Sequence, residues 1–394
     1  MTFVIYVDID VRELEHQETE MGGAEINGLD QVMDPCNNNT LSTQWYTSPE
    51  LFDLEADRIF RRTWQCVGSV KQLSKQGDYF TTTVGGEPIV VFLDRSGTVR
   101  AMSSVCPHRG GPVASGEGHQ QVPFFQCRYH AWSFNFDGGL RSAPGLDAGP
   151  EERATLCLPQ FRVETWRSMI FVNLDDAAKS LADQMLGAED VLAGDPIGRL
   201  DFQFRETFEM KCNWKIFQYN SHECYHCHTI HPETVCNVAH PESLATLYRG
   251  EMWLHSRYEP KLRADAHGAV VHDLAAGSSY SGVEEHGMYA FHMFPNLMVA
   301  YTPPGYALLV RFIPQAPDRT FLVRDHYYGE ADASKVASAK AFREAVIAED
   351  IEICEAVQRN LSSIHFSRGR FVPSREWQSQ WFEQRVRRFV GEDA

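Results

Sequence analysis

Cys106-Pro107-His108-Arg109-Gly110-Gly111 and Cys127-Arg128-Tyr129-His130-Ala131-Trp132 are the two stretches whose reading decides this fold. They spell Cys-x-His, 18 intervening residues, then Cys-x-x-His. Cys106 and Cys127 offer two thiolates, and His108 and His130 two neutral imidazoles. That donor set suits a [2Fe–2S] cluster with thiolates on one iron and imidazoles on the other. Exchanging two thiolates for imidazoles removes negative charge and raises the reduction potential. The short spacers put each pair at the tip of a tight loop, and the apolar residues that follow shield sulfur from water. A Cys2His2 zinc site is the competing reading, but a zinc finger keeps its two histidines together, whereas each half here mixes Cys with His.

Outward from these loops the chain reads as strands. Tyr79–Val84 and Pro88–Leu93 flank Gly85-Gly86, a two-residue hairpin signal. Asp94-Arg95-Ser96-Gly97 turns the chain before Val99–Ser103. The pattern predicts a small antiparallel β-domain over 46–165, led by a helix with Ser48 as cap and Pro49 in its first turn. Leu51, Phe52, Ile59, Phe60 and Trp64 recur on one face of that helix. Residues 1–45 are polar and irregular and read as a loosely attached extension.

The strand Ser168–Leu174 is expected to open a second domain, 166–394. Further strands are predicted at Phe202–Met210, Leu297–Tyr301, Tyr306–Pro314 and Thr320–Tyr328, and helices over 213–230, 334–360 and 376–390. Strands and helices do not alternate regularly, so the class is α+β, an antiparallel sheet packed against helices.

A second donor set lies between Asn213-Trp214-Lys215 and His231-Pro232. Two imidazoles and one carboxylate make the facial triad that holds a single Fe(II) and leaves positions open for O2 and substrate. Glu223 and His226, three apart, share a face of a helix. His231 stands about 140° further round an ideal helix and meets the same ion only if the helix breaks. Pro232 supplies that break by pushing His231 out of the α region, which predicts a helix end near Ile230. A zinc site drawn from Cys212, His222, Cys224, Cys227, His228 and Cys236 competes with this reading. Cys224-Tyr225-His226-Cys227 is formally a CxxC but lacks the βαβ context of a redox thiol motif. His222 and His228 read as hydrogen-bonded structural residues.

Composition narrows the function. With 394 residues, 43% hydrophobic and 12% aromatic, the chain describes an ordinary folded enzyme. The balance of 36 basic against 53 acidic residues, a net charge of −17, argues against nucleic acid and anionic membranes. No apolar run reaches the length of a membrane span, and the interrupted apolar opening Met1–Ile9 is not a secretory signal. Ten cysteines, two of them assigned to the cluster, suggest a reducing cytoplasm rather than a disulfide framework.

With both donor sets in one chain, residues from about 46 to 390 resemble the catalytic α-subunit of a Rieske non-haem iron oxygenase. The resemblance rests on Cys106, His108, Cys127 and His130, on Asn213-Trp214-Lys215, and on Glu223-Cys224-Tyr225-His226 followed by His231-Pro232. It implies a helix-grip catalytic domain and a ring-shaped homotrimer in which one subunit's cluster passes electrons to its neighbour's iron. Glu223 falls at the position of the carboxylate that bridges the two centres. His226 and His231 fall at two iron ligands. Glu349-Asp350-Ile351-Glu352, followed by Val357-Gln358-Arg359, resembles the late helix that supplies the third, which assigns Asp350, with Glu349 as fallback. Tyr219 stands where a Glu is common, and Arg128 and Ala131 where Pro and Gly are common. These departures remove no ligand but alter the surrounding hydrogen bonds.

The resemblance further implies electrons from NAD(P)H through a separate reductase, with or without a ferredoxin; the chain shows no dinucleotide fingerprint. Most of the family carries Asp at the Glu223 position. A branch with Glu-Cys-Tyr-His includes oxygenases of quaternary amines, which favours monooxygenation, and so N-demethylation, of a methylated amine. Aromatic-ring hydroxylation is the alternative, and a non-catalytic Rieske electron carrier a remote one, since a carrier needs no second ligand set. Tyr280, Tyr289, Phe291, Phe294, Tyr301 and Tyr306 form an aromatic-rich stretch that suits an ammonium group, an arene, or simply a core.

Overall fold

The structure is a computed structural model that describes residues 38–192, 198–261, 263–264, 270–271, 288–302, 305–329 and 333–391. Strands β1 (Gln65–Ser69), β2 (Asp78–Val84), β3 (Glu87–Leu93), β4 (Val99–Ser103), β5 (Glu117–His119), β6 (Gln160–Trp166) and β7 (Met169–Asn173) form one seven-stranded sheet, ordered β1-β7-β6-β4-β3-β2-β5. Gly85 and Gly86 take φ of +53° and +82°, the left-handed pair that a two-residue hairpin needs. Ile89, Val90, Val91 and Phe92 are all fully buried because both faces of β3 are covered. Val90 and Phe92 pack in the cluster that holds Cys106, Cys127, Phe125 and Phe134. Ile89 and Val91 pack on the other side with Val67, Ile170 and Val172. Period-two alternation thus divides one apolar run between two cores, one of which encloses the two sulfurs.

β7 corrects the sequence reading. The strand expected to open the second domain pairs antiparallel with β1 and β6 and lies in the first sheet. Its link to β6 is a reversal at Arg167-Ser168, whose φ values are +47° and +66°. A left-handed turn built without Gly or Asn carries no signal in the residues.

The second sheet also has seven antiparallel strands. They are β8 (Asp201–Met210), β9 (Ala239–Arg249), β10 (Trp253–Pro260), β11 (Met288–Met293), β12 (Leu297–Thr302), β13 (Tyr306–Ala316) and β14 (Arg319–Tyr328), ordered β8-β14-β13-β12-β11-β10-β9. Four helices position the site: α1 (Trp214–Ser221), α2 (Cys227–Ile230), α3 (Ala333–Asn360) and α4 (Pro373–Val390). α1 touches α3, α4 and β13 and is the hub of this half.

Asn213-Trp214-Lys215 explains how α1 is held. Asn213 caps the helix, accepting from Lys215 N at 3.1 Å. Trp214 Nε1 and Lys215 Nζ both donate to Glu55, at 2.8 and 2.5 Å, with the Lys215 and Glu55 side chains fully buried. Glu55 ends the helix Pro49–Glu55, which Ser48 caps as expected by accepting from Leu51 N. One buried ion pair therefore bolts the leading helix to α1. Removing one partner would strand a charge in the core.

The N-terminal extension is ordered at its end. Asn39–Ser42 pairs antiparallel with Arg368–Arg370, and Leu41 N donates to Glu383 on α4. Residues 1–37 lie outside the described part.

Candidate metal centres and active-site cavity

Each cluster loop closes on itself. Cys106 N donates to Gly111 O and Gly110 N to Cys106 O; Cys127 N donates to Trp132 O and Ala131 N to Cys127 O. The sequence expected both cysteines and both histidines at loop tips, and the structure brings the four together. The thiols are buried and face one another, with the amides of His108 and Arg109 directed at Cys106 sulfur. The His108 and His130 rings lie 4.5 Å apart at the surface, and His108 stacks on Trp132 at 4.7 Å. A Cβ on Gly111 would stand 3.0 Å from Cys127 sulfur, so glycine keeps the space beside the thiols open. Inward sulfurs, outward imidazoles and amides pointing at sulfur fit a cluster that bonds thiolate on its buried side and imidazole on its exposed side.

The second centre departs from one expectation. The helix predicted over 213–230 breaks: α1 stops at Ser221 and α2 starts at Cys227, so Glu223 and His226 do not share a helical face. Local hydrogen bonds outcompete the helix. The His222 amide still bonds Gln218 O, but beyond it the Glu223 carboxylate, not a backbone carbonyl, accepts from the amides of Tyr225 and His226. Cys224 and Cys227 are joined as a disulfide across this break, a pairing that the sequence reading, which argued against a disulfide framework, did not expect. The second break falls where Pro232 predicts it. α2 ends at Ile230, and His231 has φ −116° and ψ 40°.

The two breaks aim two imidazoles at one point. His226 Nε2 and His231 Nε2 lie 3.5 and 2.9 Å from Asp350 Oδ1, which descends from α3. One donor atom from each residue falls within a 4.8 Å group, and no other such group of three or more exists among the described residues. Behind the rings stand two more carboxylates. Glu223 Oε1 is 2.6 Å from His226 Nδ1, and Glu349 Oε2 is 2.7 Å from His231 Nδ1. Glu349, the fallback ligand, is therefore placed to orient His231, leaving Asp350 to face the centre. Burial pulls the His226 pKa down, but hydrogen bonds and charge from Asp350 and Glu223 outweigh it and raise it to about 9. Two imidazoles ringed by carboxylate form a site whose charge calls for a cation, which fits Fe(II) held by two nitrogens and one oxygen.

Asn220 was missed from sequence. Its Nδ2 donates to Asp350 at 3.2 Å and lies 3.3 Å from His226 Nε2. Tyr219 explains one departure from the family pattern. Its hydroxyl donates to Glu383 at 2.9 Å, so α4 supplies the carboxylate that α1 lacks. The cysteines and histidines of the rival zinc reading form no common group of three donors among the described residues: Cys224 and Cys227 are bonded to each other, and of the remaining donors Cys236 Sγ meets only His228 Nδ1, at 3.8 Å. Cys212 and His222 are buried, whereas His228 is exposed, with its Nε2 3.4 Å from Glu242.

Glu223, His226, His231 and Asp350 all line one cavity of about 260 Å³, the scale of a small molecule. Its walls include Tyr258, Tyr289, Tyr301 and Tyr306. Of the aromatic stretch, Phe291 and Phe294 are instead core residues, packed from β11 and the turn after it. Tyr280 lies outside the described residues.

Comparison with known proteins agrees with this architecture. The family described as "Rieske [2Fe-2S] domain" matches residues 63–164, and "Ring hydroxylating alpha subunit (catalytic domain)" matches 198–392. The chloroplastic choline monooxygenase of Atriplex hortensis is 30% identical over 353 residues, 84% of this chain and 74% of the relative. The carnitine monooxygenase oxygenase subunit of Acinetobacter baumannii is 28% identical over 331 residues, 82% and 85% of the two chains. The quaternary ammonium Rieske monooxygenase CntA with L-carnitine superposes with a TM-score of 0.74 at 25% identity, over 90% of this chain and 96% of that one. Naphthalene 1,2-dioxygenase from Rhodococcus sp., at 18% identity and a TM-score of 0.71, covers 90% and 95% and shares the fold.

The chain belongs to the Rieske non-haem iron oxygenases. It is an oxidoreductase whose family works with a [2Fe–2S] cluster and a mononuclear iron and draws electrons from a reductase.

Proposed function

We propose that this oxygenase hydroxylates a carbon bound to the nitrogen of a methylated, quaternary amine, so that the hydroxylated product releases an aldehyde. The observation that carries this is the cavity: the His226, His231 and Asp350 end opens onto walls bearing four tyrosines. Aromatic faces attract a quaternary ammonium that cannot donate a hydrogen bond. Relatives named as choline and carnitine monooxygenases support the same substrate class.

In this reading Cys106, His108, Cys127 and His130 hold the cluster, and His226, His231 and Asp350 hold the iron. The cluster supplies single electrons and the iron supplies dioxygen activation. Glu223 and Glu349 fix the orientations of His226 and His231 by accepting hydrogen bonds from their Nδ1–H groups. Glu223 also offers a carboxylate route from a partner subunit's cluster imidazole, His108 or His130, to His226. That route requires an oligomer, which we take as a homotrimer, and a separate NAD(P)H-dependent reductase. The domains are an N-terminal extension, a cluster domain that we extend past 165 to include β7, and a catalytic domain. Among the described residues no helix is long and apolar enough to cross a membrane, and the sequence reading places the protein in the cytoplasm.

A panel of betaines, carnitine-like amines and aromatic acids tests the assignment, run with a competent reductase and scored for formaldehyde and O2 uptake. Coupled turnover of a quaternary amine is expected. Coupled turnover of arenes alone would replace this reading with ring hydroxylation.

A further inference from the structure

The function proposed above makes no use of the bond between Cys224 and Cys227. Seven other described cysteines are free, Cys157 and Cys236 among them within reach of solvent, so the pair stands apart from any disulfide framework. It closes a loop over a sequence separation of only 3. A loop that short takes less entropy from the unfolded chain than a long one, so the bond does little for the fold as a whole. Its effect is local. In a chain whose described cysteines are otherwise free, such a bond has the character of one that opens and closes rather than of a permanent staple.

What the bond spans is the stretch that carries the site. α1 stops at Ser221 and α2 starts at Cys227, and the residues between them include Glu223 and His226. Beside the bond, hydrogen bonds shape this stretch. The Glu223 carboxylate accepts from the amides of Tyr225 and His226 and from His226 Nδ1, and Cys227 N donates to Cys224 O at 3.2 Å. The sulfur link is the covalent tie that holds the two ends of this turn together, with an iron-facing imidazole between them. Cys224 and Cys227 line the cavity together with His226 and Asp350. Tyr225, between the two cysteines, is 55% exposed, so the turn also borders solvent. Cys224 is the less buried of the two, at 8% against 3%.

We infer that Cys224 and Cys227 are a redox modification site, opened by a dithiol and closed by a small disulfide, whose closed form holds the mononuclear iron more tightly than the open one. The inference is independent of the substrate and rests on the reading of His226 as an iron ligand. In the opening step a thiolate of the dithiol attacks Cys224 Sγ, and the Cys227 sulfur leaves and takes up a proton. The second thiol of the reagent then attacks the mixed disulfide, freeing Cys224 as a thiol and closing the reagent into its own disulfide. Two electrons and two protons pass to the protein; oxidised glutathione returns the pair to the bonded state by the reverse exchange and leaves as two thiols. In the closed form shown here the turn is tied and His226, His231 and Asp350 converge. In the open form hydrogen bonds alone hold His226 in place against Asp350.

The test compares the full-length holoenzyme as purified, after anaerobic dithiothreitol, and after re-oxidation with oxidised glutathione, each reagent then removed. Differential alkylation with peptide mass measurement should find Cys224 and Cys227 bonded, free, and bonded again. A ferrous chelator should strip the mononuclear iron from the reduced protein roughly tenfold faster, the order expected for untying so short a loop. Amide hydrogen exchange should rise across 223–231, and cluster absorption should not change. The double variant Cys224→Ser, Cys227→Ser should match the reduced protein under every condition. Cys236→Ser, which removes the thiol that donates to Cys227 O at 3.4 Å, should keep the wild-type response. Equal iron release and equal exchange in the two redox states of the wild type overturn the inference. A pair that stays free in oxidised glutathione, or bonded in dithiothreitol, overturns it too. If the protein binds no iron beyond its cluster, the ligand reading of His226 falls, and alkylation with hydrogen exchange still decides whether the pair is a redox-controlled clamp.

Discussion

The two candidate metal sites are built by opposite means. The cluster loops are local: all four donors lie within residues 106–130, and each loop is closed by its own backbone hydrogen bonds. The iron site is assembled at long range, with His226 and His231 from a broken helix and Asp350 from a helix more than a hundred residues later. Their surroundings differ as much. His108 is exposed and His130 half-buried, as suits a centre that trades electrons across a surface. His231 and Asp350 are buried inside a cavity, as suits a centre that must exclude water. A local site tolerates disturbance elsewhere in the fold, whereas a distributed one does not.

The sharpest way to break this contrast is to remove one ligand from each site. Asp350→Ala should lose the mononuclear iron and lower turnover by at least about 1,000-fold, while cluster absorption and its paramagnetic signal persist. Cys127→Ser should do the reverse to the spectra. Metal analysis of the pair decides it, and loss of both centres in either variant would mean the sites are not independent.

Lys215→Met examines the join between the leading helix and α1. Leaving Glu55 buried without its partner should cost about 3–5 kcal/mol, seen in chemical denaturation as early loss of catalytic-domain structure with the cluster colour retained. Replacing Glu55 with Leu in the same protein should restore much of the loss.

Acid should separate the halves next. Burial holds His222 and His255 at a pKa of about 4, well below an ordinary histidine. Between about pH 6.5 and 4 the unfolded chain takes up protons that the folded chain refuses, so stability falls as pH falls. The loss is on the order of 3 kcal/mol per histidine. Among the described residues, the buried histidines whose pKa burial lowers, His222, His255, His292 and His326, all lie in the catalytic half. Its unfolding midpoint should therefore drop first, and His255→Gln should flatten the profile by about one proton.

A smaller effect is expected where the two sites meet. Glu223→Gln should retain both metals yet reduce coupled turnover by roughly 10–100-fold, with O2 consumed in excess of product. Full coupling in that variant would remove Glu223 from the electron route. Smallest is Ala131→Gly. Ala131 has φ +59°, a left-handed conformation that costs an L-residue about 1–2 kcal/mol. Glycine should stabilise the cluster loop by somewhat less than this, because it also frees the unfolded chain. Thermal loss of cluster absorption measures it.

The same contrast explains what was legible in the residues. Cys106, His108, Cys127 and His130 announce themselves because short spacers and tight turns place them with little help from the rest of the chain. Pro232 announces the second break for the same reason. The first break does not show, since the Glu223 carboxylate takes the amides of Tyr225 and His226 in place of helix carbonyls and neither Gly nor Pro marks the position. β9 was missed because Ala239–Arg249 carries Pro241 and few β-branched residues; its pairing with β10 makes it a strand. Asp350 was found by resemblance, not by spacing. Arg343 had a readable signal, a cation on the same face of α3 as Ile347 and Asp350, but only the structure shows that this face lines the cavity.

The rigidity of α3 has a further outcome. Asp350, Glu349 and Arg343 hang from one continuous rod, so a shift of that rod carries all three together and leaves their spacing unchanged. Tuning the cavity to other molecules falls instead to the sheet wall, where Tyr289, Tyr301 and Tyr306 rise from separate strands and can be exchanged one at a time.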